Sequence, residues 1–220
     1  MNVKNYHTLS RQLKEGITLV AVSKNKSPED ILTLYAEGQR VFGENYVQEL
    51  LEKAPKLPKD IQWHFIGHLQ TNKVKQIIRV VHCIESADRT KIIDEINHQS
   101  DLSQLHTTIL LQYRLAEEET KYGMNDETLS GIISRYNAGE WQNITIGGMM
   151  AMGSLTDNKQ KTREEFIRMK KIFDRTREQI TFHPEAFVTL SMGMSSDYTI
   201  AMEEGSTSLR IGSLLFGQRA

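Results

Sequence analysis

Short β-rich runs alternate with longer stretches of helical periodicity along this chain, and that alternation leaves few architectures open. Candidate strands are Thr18–Ser23, Arg40–Gly43, Trp63–Ile66, Val81–Glu85, Thr107–Tyr113, Ile144–Gly147, Ala186–Leu190 and Ser208–Ile211. Helical patterns fill the intervals, with no linker and no low-complexity stretch between them. In the clearest, Ser27–Pro28–Glu29–Asp30 reads as an N-cap, a first-turn proline and first-turn acids, and Gly38 as the stop. The longest is predicted from Lys159 to Ile180, where Phe166, Met169, Ile172 and Phe173 recur at helical spacing.

About eight β-then-α units favour a closed (β/α)8 TIM barrel over a doubly wound open sheet. A doubly wound fold also expects a glycine-rich turn after its first strand. Here that turn is Ser23–Lys24–Asn25–Lys26–Ser27, with no glycine. A length of 220 residues suits an α/β barrel formed as a single domain, residues 1–220. The 27 basic and 28 acidic side chains nearly cancel, so nothing predicts attraction to nucleic acid or to a membrane surface. The start, Met1 to His7, has no apolar core of signal-peptide length, and no apolar run is long enough to span a bilayer. A cytoplasmic protein is the expectation. The lone Cys83 excludes an internal disulfide, and its neighbours Val80, Val81 and Ile84 predict a buried thiol.

In such a barrel the C-terminal ends of the strands form the active face. Lys24, Glu44 with Asn45, His68, Ser86, Met149 with Met150, Ser191, and Arg210 with Gly212 all fall there. A lysine at the end of a buried strand is partly desolvated, which favours its neutral amine, and a neutral amine condenses with an aldehyde. Lys26, beside the helix start, is expected to be more solvated. Ser191 and Gly193 offer a hydroxyl and a turn after the seventh strand. Gly212 and Ser213 offer backbone N–H groups after the eighth, where barrels frequently hold phosphate. Arg210 shares a face with Gly212 and could donate to a ring nitrogen.

A strand-end lysine and a phosphate cradle together suit pyridoxal 5'-phosphate (PLP). Arginine at the pyridine nitrogen leaves the ring a weaker electron sink than aspartate would. Taken singly, these residues also fit a surface lysine, ordinary loop glycines and serines, and a salt bridge closing the barrel. His64 and His68 are four apart in a strand and its loop, where helix-type metal geometry does not apply, and with no Cys/His cluster no metal is expected. The run Glu117–Glu118–Glu119 reads as a solvated face.

Several multi-residue motifs, in one order, resemble the PLP homeostasis protein family, also called the proline synthase co-transcribed family. They are Ala21 to Lys24, Phe42–Gly43–Glu44–Asn45–Tyr46–Val47–Gln48–Glu49, Trp63 to Lys73, Leu190 to Ser195, Gly205–Ser206–Thr207, and Arg210–Ile211–Gly212. The resemblance implies an alanine-racemase-type barrel (PLP fold type III) carrying PLP on Lys24 as an internal aldimine. It implies Asn45 beside the cofactor, Ser191 and Gly212 at its phosphate, and Arg210 near the pyridine nitrogen. It also implies a protein that carries or buffers PLP in vitamin B6 and amino-acid homeostasis, without established catalytic activity and with PLP-dependent apoenzymes as recipients.

The alternative is a PLP-dependent amino-acid racemase using the same site. Alanine racemases take a second base, a tyrosine, from a partner subunit with the help of an additional β domain. This chain ends soon after Gly212, so no such domain is expected. A monomer is the expected state, and Tyr46 or His68 would have to act as second base. The family pattern has Asn, Ser and Gly where this chain has Arg114, Ala116 and Glu117, whereas Glu118, Lys121 and Gly123 agree.

Overall fold

The computed structural model of the protein describes residues 3–115 and 122–217. The Glu117–Glu119 run, and the positions Ala116, Glu118 and Lys121, lie outside the described residues. The strands are β1 (Thr18–Val22), β2 (Val41–Glu44), β3 (Gln62–Phe65), β4 (Val81–Ala87), β5 (Thr107–Tyr113), β6 (Ile144–Ala151), β7 (Thr189–Ser191) and β8 (Ser208–Ile211). All neighbours pair in parallel, and β8 closes on β1 through the register Thr18↔Ser208 to Ala21↔Ile211. The expected barrel is the observed one.

The helices are α1 (Val3–Gln12), α2 (Pro28–Ala36), α3 (Val47–Lys53), α4 (Val74–Ile77), α5 (Thr90–Leu102), α6 (Asp126–Asn137), α7 (Lys159–Gln179), α8 (Tyr198–Glu203) and α9 (Ser213–Phe216). Helix α2 starts as its sequence demands. The Ser27 hydroxyl accepts from the Asp30 N–H at 3.2 Å, and the Asp30 carboxylate accepts from the Ser27 N–H at 3.4 Å. Helix α7 is capped by Asn158, whose Oδ1 accepts from the amides of Gln160 and Lys161. Among the described residues, no helix is long and apolar enough to cross a membrane.

Period-two alternation divides each strand between two environments. One set, including Ile84, Ile109, Leu111, Met149, Leu190 and Ile211, packs with helix residues such as Ile93, Ile132 and Phe166 in the main core. The other set points inward and makes a small separate cluster of Cys83, Leu110 and Met150 with Met152. The Cys83 thiol is buried there, and desolvation holds its pKa well above the ordinary value.

Three strands differ in extent from expectation by more than a single residue. Strand β6 continues through Met149 and Met150 to Ala151, so both methionines are buried strand residues rather than loop residues. Where the expected strand stops, at Gly147, the chain instead forms a bulge, because Ile109 pairs with Ile146 whereas Leu110 pairs with Gly148. A side chain at Gly148 would lie 1.8 Å from the Thr189 carbonyl oxygen, so β7 can pair there only with glycine. Strand β7 begins at Thr189, after a 3-10 turn at Pro184–Ala186 rather than at Ala186, since Pro184 sets that turn. Strand β4 likewise runs to Ala87, which makes Ser86 a buried strand residue.

Candidate functional site

At the C-terminal rim lies a cavity of about 430 Å³. Val22, Lys24 and Lys26 from the end of β1, Asn45 after β2 and Ile66 after β3 line one side. Met194, Ser195 and Ser196 after β7 line the other, with Arg210, Gly212, Ser213 and Gly217 from β8 and the turn beyond it. Met152 and Leu155, after β6, complete the wall. Its charged lining among the described residues is Lys24, Lys26 and Arg210, with no carboxylate. That lining suits an anion.

Of the residues singled out in the sequence, Lys24, Asn45, Arg210, Gly212 and Ser213 meet in this cavity. Ser191 and Gly193 are not part of its lining. The Ser191 hydroxyl is buried inside the barrel, where it donates to Glu85 Oε2 at 2.6 Å and accepts from Arg210 Nη1 at 2.5 Å. Gly193 has φ +98°, and a side chain there would come within 2.5 Å of the Ala201 Cβ, so turn geometry and packing demand the glycine. Gly212 is different. A Cβ would meet Val22 at 3.4 Å, an ordinary contact, and its φ is −117°, so the fold alone does not require glycine.

Glu44, His68, Ser86, Met149 and Met150 also lie outside the lining. Glu44 alternates away from Asn45 and is buried against α3, bonded to Lys53 and Ser23. His68 is exposed, stacked on Tyr122 at 3.9 Å and paired with Asp88 at 3.5 Å. Exposure does not separate Lys24 from Lys26, since both are half-buried at the cavity wall. The Lys26 amine donates to the Phe216 carbonyl at 3.2 Å, which draws it toward α9.

Arg210 is 4 % exposed and belongs at once to the cavity and to the barrel interior. Its second guanidinium nitrogen donates to the Ala151 carbonyl at 2.8 Å. Behind it, Glu85 accepts from Ser191, sits 3.8 Å from Arg210, and bonds His64 Nδ1 at 2.6 Å. Burial works to raise the Glu85 carboxyl, but the His64 bond, the charges of His64 and Arg210, and the Ser191 bond outweigh it and hold the pKa below its usual range. Burial lowers Arg210 against the opposing charges of Glu85 and Asp197. The His64–Glu85–Ser191–Arg210 chain escapes sequence inspection because Glu85 ends an apolar run and gives no motif.

Asn45 supplies the sharpest sign that the cavity is built for a ligand. Its Oδ1 is buried yet has no hydrogen-bond partner, and an amide oxygen left so costs about 1–3 kcal/mol unless something binds there. On the far side, Asp197 Oδ1 accepts from the Met194 N–H at 2.6 Å and shapes the Met194–Ser196 turn. A phosphorylated aldehyde fits these residues: cations and backbone turns for the anion, an amine for the carbonyl carbon, and an unsatisfied amide at the wall.

Comparison with known proteins follows this geometry. Residues 3–220 match the family model described as alanine racemase, N-terminal domain. The chain is 38% identical over 202 residues to the pyridoxal phosphate homeostasis protein of Aquifex aeolicus, covering 91% of this chain and 86% of that relative. It is 39% identical over 211 residues to the protein of the same name from Homo sapiens, covering 91% and 76%. The chain belongs to this family. Among solved structures, PipY of Synechococcus elongatus with PLP bound superposes with a TM-score of 0.89 at 30% identity, covering 99% of this chain and 100% of that one. An alanine racemase of Clostridium difficile shares the fold at a TM-score of 0.79 and 15% identity, with this chain covering 56% of it. Family membership agrees with the resemblance carried by the sequence motifs.

Proposed function

We propose that the rim cavity binds PLP through Lys24 and that the protein carries or buffers this cofactor for vitamin B6 and amino-acid homeostasis. The observation that carries the reading is one cavity, cationic and without carboxylates among its described lining, that joins Lys24, Asn45, Arg210, Gly212 and Ser213. Bound PLP supplies an aldehyde that condenses reversibly with a primary amine and can be passed to another amine. Lys24 provides that amine. Asn45 offers its unpartnered Oδ1, Arg210 brings a buried guanidinium to the same wall, and the turns at Ser195–Ser196 and Gly212–Ser213 line the space where their backbone N–H groups would serve an anion. Relatives named for PLP homeostasis and a PLP-bound structural neighbour support this reading.

Racemization is the alternative, and it needs two bases on opposite faces of the α-carbon. Neither Tyr46 nor His68 lines the cavity. Lys24 and Lys26 come from one turn, and Arg210 is held by Ser191 and Ala151 as a donor. These features favour binding over turnover; the same reading takes PLP-dependent apoenzymes as recipients and a cytoplasmic monomer as the setting, neither of which the cavity itself bears on. Borohydride reduction of the yellow, PLP-loaded protein followed by peptide mapping is expected to place the pyridoxyl label on Lys24. Incubation with L-alanine in D2O is expected to form D-alanine slower than about 1 s⁻¹, the low end of ordinary turnover. A label confined to Lys26, or faster formation of the D-isomer, overturns the proposal.

A further inference from the structure

We propose that the buried Glu44–Lys53–Glu49 cluster is a positioning device for Lys24, fixing the turn that carries it and so the direction of its amine. The inference rests on the reading of Lys24 as the cofactor lysine.

Lys53 ends α3, and its side chain is only 7% exposed. Its ammonium donates to the Ser23 carbonyl at 2.8 Å, Glu44 Oε1 at 2.9 Å and Glu49 Oε1 at 2.8 Å. Those three bonds use all the donors an ammonium has. Glu49 Oε1 also accepts from the Asn25 N–H at 2.5 Å, and the Ser23 hydroxyl donates to Glu44 Oε1 at 2.6 Å. The cluster therefore holds the carbonyl of the residue before Lys24 and the amide of the residue after it.

The backbone it holds turns sharply: Asn25 has φ +59°, a left-handed conformation that asparagine adopts more readily than most side-chain-bearing residues. Stability is a poor reason for such a cluster. A buried ion pair often gains nothing over apolar residues of similar volume, because both charges must leave water. Here Glu44 Oε2 is even left buried without a partner. Geometry is the better reason. A strand ending at Val22 would otherwise release Lys24 into a loop, and an amine that must meet a carbonyl carbon needs a fixed approach.

The test uses the full chain loaded with PLP and three variants: Lys53→Met, Glu49→Ala and Glu49→Gln. Lys53→Met removes the central donor, and Glu44 can then take a proton, since burial already raises its carboxyl above the ordinary range. Glu49→Ala cuts only the outer link and guards against a Lys53 variant that fails to fold. Glu49→Gln keeps an acceptor oxygen for Asn25. PLP affinity is expected to fall about tenfold or more in Lys53→Met and Glu49→Ala, the usual effect of losing a supporting shell, with Glu49→Gln close to the unaltered protein. Borohydride label should spread from Lys24 to Lys26 in the first two variants, and the pH midpoint of the yellow absorbance should move. Unchanged label, affinity and midpoint in both folded variants, with label on Lys24 in the unaltered protein, overturns this inference alone. Label absent from Lys24 in the unaltered protein overturns the cofactor reading, and this inference with it.

Discussion

Arg210 is the residue on which cavity and interior meet, and its environment decides what substitution nearby does. Glu85 is fully buried against His64 and Ser191 beside Arg210. Glu85→Ala strands a buried guanidinium, and urea unfolding should show a loss of about 3–5 kcal/mol. Glu85→Gln keeps an oxygen for Ser191 and should cost clearly less. At Gly212, where a methyl fits against Val22, Gly212→Ala should leave urea stability near the unaltered value while weakening PLP binding by equilibrium titration. Equal affinity would remove this glycine from the site. Lys24, Asn45, Arg210, Gly212 and Ser213 were legible as strand-end residues of a barrel. Ser191 was legible as a rim residue, but not its bonds to Glu85 and Arg210 inside the barrel, because alternation gives the face of a residue and not its depth. Glu85 and Lys53 were invisible, since a carboxylate in an apolar strand and a lysine ending a helix look ordinary until a partner crosses from another element.

At the scale of elements, local signals told most where they are chemical rather than statistical. Ser27, Pro28 and Gly38 framed α2 because each satisfies a specific backbone need, and Gly38 indeed sits at φ +100°. Ser27→Ala should lower stability by about 1 kcal/mol in chemical denaturation, with an intact barrel by circular dichroism. The expected end of the sixth strand at Gly147 falls short for a related reason. A glycine can end a strand or let another strand come close, and nothing local distinguishes the two. Gly148→Ala separates them experimentally. If the closeness of Thr189 is the cause, the variant should lose about 3 kcal/mol, whereas a mere chain stop would tolerate it. Similarly, Pro184 is readable as a turn former, but only packing decides that the strand waits until Thr189.

For the whole molecule, acid stability follows from the barrel interior. The Glu85 carboxyl titrates below its ordinary 4.5 when folded, so the unfolded chain binds its proton more readily in between. Its contribution is therefore complete above pH 4.5 and is lost as pH falls through the folded pKa. Glu44 and Asp197, both raised by burial, act with the opposite sign and detract from stability as pH rises through their folded values. Urea unfolding between about pH 3 and 7 should accordingly show a shallower acid limb for Glu85→Gln than for the unaltered protein. The clamp between α3 and the end of β1 has a consequence in time as well as in space. Asn25 is exposed, and a loop amide open to water ordinarily exchanges its hydrogen at once. Because this amide is bound by Glu49, it can exchange only when the first turn of α3 lets go, so the loop and the start of the helix should gain deuterium together as one cooperative unit.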